Sequence, residues 1–300
     1  MKISLGPIYF YWNRQEVFDF YDKIVKSPAD IVYLGEVVCS KRYQLKLDDW
    51  LDIASKLNDA GKEVVLSTLT LLEADSELKR LGRICQESEY LVEANDFAAI
   101  SLMSKQQKPF VVGPSVNMYN LASLNVLAGK GLTRWCFPVE LAKNTLQAIM
   151  SEKQESLQSE IFAFGKLPLA FSARCFTARA YNLDKDDCQY KCLEHKDGLL
   201  LSTQEDESFL IMNGIQTMSS LSFNLIKELD DMQELGVDVI RISPQFEHTD
   251  KIIRIFKNRI DGNITTEAAE QQLSPLIEYG QCDGYWFEKE GLGKTNLEQI

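Results

Sequence analysis

The chain has 300 residues, 45% of them hydrophobic, and its 44 acidic against 32 basic side chains give a formal net charge of −12. A surface of that sign repels phosphate backbones, and no basic patch offsets it, so a nucleic-acid partner is not expected. Met1 and Lys2 lead straight into a strand-like run with no signal-peptide pattern, and no long uncharged apolar stretch follows; the expectation is a cytoplasmic chain that does not span a membrane.

Strand-like apolar runs alternate with helix-periodic segments along the chain. Residues 3–12 lead into 15–25, where Val17, Phe20, Tyr21 and Ile24 share one helical face. Residues 31–38 precede a helix over 47–57 with Leu47, Trp50, Leu51, Ala54 and Leu57 at the same spacing. The rhythm continues with strands at 64–71, 90–93, 110–116 and 135–139, each followed by a helix, at 76–85, 97–103, 121–127 and 141–149. A strand over 161–171 opens into a polar loop, and a hairpin-like stretch occupies 199–212. A helix over 223–235, a strand over 237–243 and a helix over 251–260 complete the pattern, while 262–300 has little periodicity.

Repeated strand–helix units indicate a parallel sheet, and seven or eight of them favour a closed (β/α) barrel of TIM type over an open doubly wound sheet. No glycine-rich dinucleotide fingerprint follows any strand. The expected architecture is one barrel-like domain over 1–300, irregular or incomplete toward the C-terminus, with a cysteine-bearing loop at 172–198 inserted in it.

That loop carries Cys175, Cys188 and Cys192 of the chain's seven cysteines, flanked by Asp186, Asp187, Gln189, Lys191 and Glu194. Cys39, directly after the apolar run IVYLGEVV, is the fourth thiol expected on the same barrel face, where strands end and loops begin. Four soft thiolates select zinc or an iron–sulfur cluster. Only Cys188 and Cys192 are close in sequence, with three residues between them, and so dispersed a set suits a cluster reached from several directions. A third cysteine soon after Cys192 is missing, which excludes the radical S-adenosylmethionine pattern. Cys85 and Cys136 lie in helix and strand patterns and read as core; Cys282, in a polar turn, competes for a ligand position. Cys39 ranks above it.

Glu36, Glu93 and Glu140 at strand ends are candidate acid–base carboxylates, and Glu36, Asn117 and Glu140 are candidate catalytic residues lining the barrel mouth. His195 could tune or replace a ligand, and Arg174, Arg179 and Lys191 could stabilise charge on the sulfurs. With two histidines in the chain, a histidine-ligated zinc hydrolase is unattractive, and no nucleophile-elbow signature is present.

The segments SLGPIYFYW, YLGEVVCSKR, VLSTLTL, RWCFPVEL, GKLPLAFSARCFTAR, NGIQTMS and CDGYW resemble the UbiV family, of the UbiU–UbiV branch of the collagenase-like peptidase superfamily. The likeness runs from the first strand to Trp286. It implies a (β/α) barrel with a 4Fe-4S cluster on Cys39, Cys175, Cys188 and Cys192. It also implies a heterodimer with UbiU, cooperation with the lipid-binding protein UbiT, and oxygen-independent ring hydroxylation of an isoprenoid quinone precursor in ubiquinone synthesis. The link between Cys175 and Cys188 is shorter than that family's pattern, which bears on partner docking. An active peptidase is not expected, since neither a nucleophile nor a proteolytic metal set is present in the sequence. The alternative is a barrel hydrolase or scaffold stabilised by zinc on the same thiols, with no redox role.

Overall fold

The computed structural model describes residues 1–87 and 89–295. Its strands are β1 (Lys2–Leu5), β2 (Ile31–Leu34), β3 (Glu63–Ser67), β4 (Leu91–Ala94), β5 (Phe110–Val112), β6 (Leu132–Cys136), β7 (Gln158–Phe171), β8 (Leu199–Ser202), β9 (Ser208–Asn213), β10 (Gln216–Asn224), β11 (Val239–Ile242) and β12 (Gln281–Cys282). The helices are α1 (Arg14–Val25), α2 (Leu47–Asp59), α3 (Asp75–Glu87), α4 (Phe97–Lys105), α5 (Leu121–Ala128), α6 (Lys143–Met150), α7 (Phe176–Ala180), α8 (Leu229–Glu234), α9 (Thr249–Ile260) and α10 (Thr266–Leu273).

From β1 to β7 each strand pairs in parallel with the next, and β11 closes the ring by pairing in parallel with both β7 and β1. Among the described residues this is a closed barrel of eight parallel strands, with α1 to α6 in the crossovers. The barrel is complete. Its irregularity is an insert between β7 and β11: β7 runs on past the barrel wall and pairs antiparallel with β10, which continues into β9 and β8. Gly165 marks the departure point, since its φ of +127° and a Cβ that would lie 2.5 Å from Ser243 Cβ exclude a side chain there.

Helix formation follows from spacing and caps. Val17, Phe20, Tyr21 and Ile24 of α1 are buried against the barrel, each contributing up to about 1.5–3 kcal/mol of burial, an upper bound that takes the unfolded chain as fully extended. Asn13 opens α1 with a reciprocal cap: its side chain accepts from Glu16 N at 3.0 Å while Asn13 N donates to Glu16 Oε2 at 2.9 Å. Asp96, Asn120 and Thr265 cap α4, α5 and α10 through their side-chain oxygens.

Several expected boundaries move. The strand expected over 3–12 ends at Leu5, where Gly6 and Pro7 break it, and Ile8 to Trp12 form a buried loop instead. The helix expected over 223–235 is three elements, the end of β10, a 3₁₀ turn at Ile226–Glu228 and α8. Phe223 and Asn224 end β10, the Asn224 side chain accepts from Ile226 N at 3.1 Å to turn the chain, and α8 covers only Leu229–Glu234. α10 lies in a stretch without visible periodicity, because its buried positions are only Ala269 and Leu273. Residues 296–300, included in the expected single domain, lie outside the described residues. No helix among the described residues is long and apolar enough to cross a membrane.

Candidate functional site

The turn after β2 carries Cys39, and its backbone geometry is imposed locally. Gly35 has φ +134°, and a Cβ there would meet the Ser67 carbonyl oxygen at 2.6 Å, so only glycine lets the chain leave β2 against β3. Glu36 then bends the turn: its Oε1 accepts from Val38 N at 2.9 Å and from Cys39 N at 3.0 Å. Burial pushes the Glu36 carboxyl above the usual carboxylate range, against the pull of Arg42 and of the two N–H groups. Glu36 therefore braces the turn that presents Cys39. Arg42 N donates to Cys39 O at 3.0 Å and closes the same turn.

The other three thiols arrive on the insert. Cys175 is the N-cap of α7, its Sγ accepting from Ala178 N at 3.4 Å. The turn between β9 and β10 pins that helix: Phe176 N donates to Gly214 O at 2.7 Å, and Gly214 N donates to Thr177 Oγ1 at 2.9 Å. Cys188 follows a single 3₁₀ turn at Lys185–Asp187, and Cys192 lies in another at Lys191–Glu194. Between them Gln189 and Tyr190 take φ of 50° and 52°, reversing the chain so that both cysteines face one side. Lys41 ties the insert to the Cys39 turn, donating to Lys185 O at 2.8 Å and pairing with Asp186.

Cys39, Cys175, Cys188 and Cys192 all line one cavity, together with Lys41, Arg42 and Lys191. All four are unbridged and half-buried. Burial pushes the Cys192 thiol up to about 11 despite the opposing Arg42 charge, and raises Cys39 in the same way. Among the described residues no group of three or more His, Cys, Asp or Glu side chains is already arranged to hold a metal ion. The four thiols surround a space; they do not close on one point.

Arg42 is the residue that sequence reasoning missed. Its side chain is 1% exposed, with Nη1 donating to Tyr9 O at 2.6 Å and Nη2 to Asn213 Oδ1 at 2.8 Å, while Glu36 lies 3.7 Å away. Its Nε, fully buried, has no hydrogen-bond partner among the described residues. A buried unpaired donor on a cavity of thiols is what a sulfur-bound anionic group would satisfy. A basic residue three positions after Cys39 was the available signal.

The remaining candidates distribute as follows. Lys191 lines the cavity, but its amino group pairs with Glu194 at 2.6 Å. Arg174 and Arg179 are exposed. His195 Nε2 is engaged with Tyr181 Oη at 2.7 Å and does not line the cavity. Asn117 and Glu140 are exposed on loops after β5 and β6, where Tyr119 Oη donates to Glu140 Oε1; neither lines the thiol cavity. Cys282 is fully buried in β12, paired with β10, and so is no competitor for a ligand position. Cys85 and Cys136 are buried as expected.

Inside the barrel lies a second polar feature. Arg241 of β11 donates to Glu93 Oε1 at 2.7 Å and to Glu160 Oε1 at 2.8 Å, all three side chains being at most 1% exposed, and its guanidinium lies 4.1 Å from the Tyr33 ring centroid. Glu160 also accepts from Tyr33 Oη and Ser4 Oγ, both at 2.5 Å, and Arg134 bonds Tyr33 Oη at 3.2 Å and Glu63 at 2.6 Å. Glu93, a candidate acid–base group by sequence, is thus committed to an ion pair.

The family model described as Peptidase family U32 matches residues 18–295. The chain belongs to peptidase family U32. Solved structures similar to this U32 chain include a phospho-2-dehydro-3-deoxyheptonate aldolase from Thermotoga maritima, at 11% identity and TM-score 0.46, covering 87% of this chain and 70% of that one. Another is an N-acetylneuraminate lyase from Fusobacterium nucleatum, at 10% identity and TM-score 0.43, covering 99% and 94%. Likeness at that level carries no inference about what this U32 chain acts on.

The Gly35 geometry yields a prediction for the site. Gly35→Ala is expected to cost about 1–3 kcal/mol through backbone strain and the Ser67 clash. It should also displace the turn that presents Cys39. Chemical denaturation of wild type and variant checks the cost; unchanged stability would contradict the strained-turn account.

Proposed function

We propose that this chain is the iron–sulfur subunit of a UbiU–UbiV type complex that hydroxylates the ring of an isoprenoid quinone precursor without O2. The observation that carries the reading is the cavity lined by Cys39, Cys175, Cys188, Cys192 and Arg42, a residue whose buried Nε has no hydrogen-bond partner among the described residues. That donor set fits a 4Fe-4S cluster, held by the four cysteines as thiolates. When bound, such a cluster supplies one-electron transfer at a potential set by burial and by donors to its sulfurs. The chain's own part is positional: Glu36 shapes the Cys39 turn, Lys41 fastens the insert across the cavity, and the β9–β10 turn fixes α7 and with it Cys175. The resemblance to the UbiU–UbiV branch supplies the partner, UbiU, and a UbiT-type lipid-binding protein as carrier of the isoprenoid substrate.

The test is made in cells lacking this chain. Without oxygen their ubiquinone is expected to fall to background, and to return with the wild-type gene but not with Cys188→Ala; under air ubiquinone is unchanged. Full anaerobic ubiquinone in the deletion strain would contradict the proposal.

A further inference from the structure

Arg42 holds a surplus of positive charge beside the thiols. Two of its nitrogens are bound by neutral acceptors, Tyr9 O and Asn213 Oδ1. The one carboxylate near it, Glu36, is already accepting from two backbone N–H groups. A buried guanidinium so placed is costly unless something anionic completes its surroundings. Nε is the nitrogen left without a partner, and the side chain lines the cavity, close enough to Cys192 to interact with its sulfur.

The scaffold fixes this arrangement from three sides. The Arg42 N to Cys39 O bond places the cation and one thiol on the same turn. Asn213 is itself held, its Nδ2 donating to Tyr9 O at 2.8 Å and Gln216 Oε1 at 2.9 Å. Gly214, at φ +65°, lacks the Cβ that would otherwise come within 3.0 Å of Arg42 Nη2. A lysine, with a single point charge at the end of its stem, could not hold Tyr9 and Asn213 and still present a donor to the cavity.

We infer that Arg42 is a positioning residue that sets the reduction potential of the group held by the four thiols, through its Nε–H donated to sulfur on the Cys192 side. This inference rests on the iron–sulfur reading given above. A cation and a donor beside the sulfurs favour the more negative, one-electron-reduced state, so their presence raises the potential and their removal lowers it.

The experiment is a redox titration of anaerobically purified full-length protein, with iron and sulfide measured on the same samples. Arg42→Gln is expected to change the oxidised-to-reduced ratio at a fixed potential by about tenfold or more, which is about 59 mV to more negative values for a one-electron couple. Arg42→Lys, keeping charge without the fork, is expected to fall between. Wild-type potential in R42Q at full iron content overturns the role of Arg42 and leaves the cluster reading intact. If R42Q fails to load iron, Asn213→Ala, which removes the Nη2 anchor together with the Nδ2 bonds to Tyr9 O and Gln216 Oε1 but leaves Arg42 itself in place, is expected to shift the potential in the same direction by less, and an unmoved potential there overturns the inference. A wild-type chain without iron overturns both readings.

Discussion

Cys175→Ala is expected to strip the chain of iron while leaving it folded. Cys175 supplies one of the four thiols of the cavity and caps α7. Loss of a cap costs about 1 kcal/mol, and less for a sulfur acceptor, a small part of the 5–15 kcal/mol typical of a domain. The helix keeps its other anchors, Phe176 N to Gly214 O and Gly214 N to Thr177 Oγ1. Loss of a proposed ligand has no such substitute; even altered outer-shell partners cost about 10–100-fold in metal affinity. Iron and sulfide per chain, compared with wild type at equal helical content, measure the effect. A Cys175→Ala chain with full iron would show the ligand assignment to be wrong.

Arg241→Met is expected to be the most destabilising single change in the barrel. It leaves Glu93 and Glu160 buried with no cation between them, and removing one partner of a buried pair costs about 3–5 kcal/mol. Two carboxylates share this cation, so the loss should reach the upper end of that range. The pH dependence should change sign as well. In the wild type, burial raises the Glu160 carboxyl, but the Arg241 charge and hydrogen bond, with Arg134 and Ser4, outweigh it and hold it below the ordinary carboxylate range. Its contribution to stability is present above the unfolded-state value and is lost as pH falls through the lower folded value. Without Arg241, burial dominates and the carboxyl titrates above its unfolded value, so mild acid should stabilise the variant relative to neutral pH. Denaturant midpoints between pH 4 and 8 test both parts. Adding Glu160→Gln to Arg241→Met should recover part of the loss.

The barrel was legible because helices with clear apolar faces, such as α1 and α2, alternate with short apolar strands. The strand ends were not, because apolar composition continues into loops that are equally buried: Ile8 to Trp12 pack into the core without pairing. The four thiols were legible because three stand in a polar segment where buried cysteines are out of place. Cys282 could be set aside only once its burial in β12 was visible. Glu36, a candidate for the barrel mouth, braces the Cys39 turn, a role that its sequence position does not reveal, whereas Asn117 and Glu140 sit on the loops after β5 and β6 and do not line the thiol cavity. Arg134, Glu160 and Arg241 look in sequence like the polar faces of half-exposed strands; only closure of the barrel buries both faces and makes them a network. Arg42 was hidden for a similar reason. Its importance lies in Asn213 and Tyr9, residues that the fold brings together from far apart in the chain.

The central claim, a cluster on four thiols, is tested most directly on wild-type protein purified without oxygen, by its visible spectrum and its iron, acid-labile sulfide and zinc content. The account predicts a brown protein with about four irons and four sulfides per chain that bleaches in air. A colourless protein with about one zinc, unfolding on chelation, would contradict it and place a structural ion in the thiol cavity.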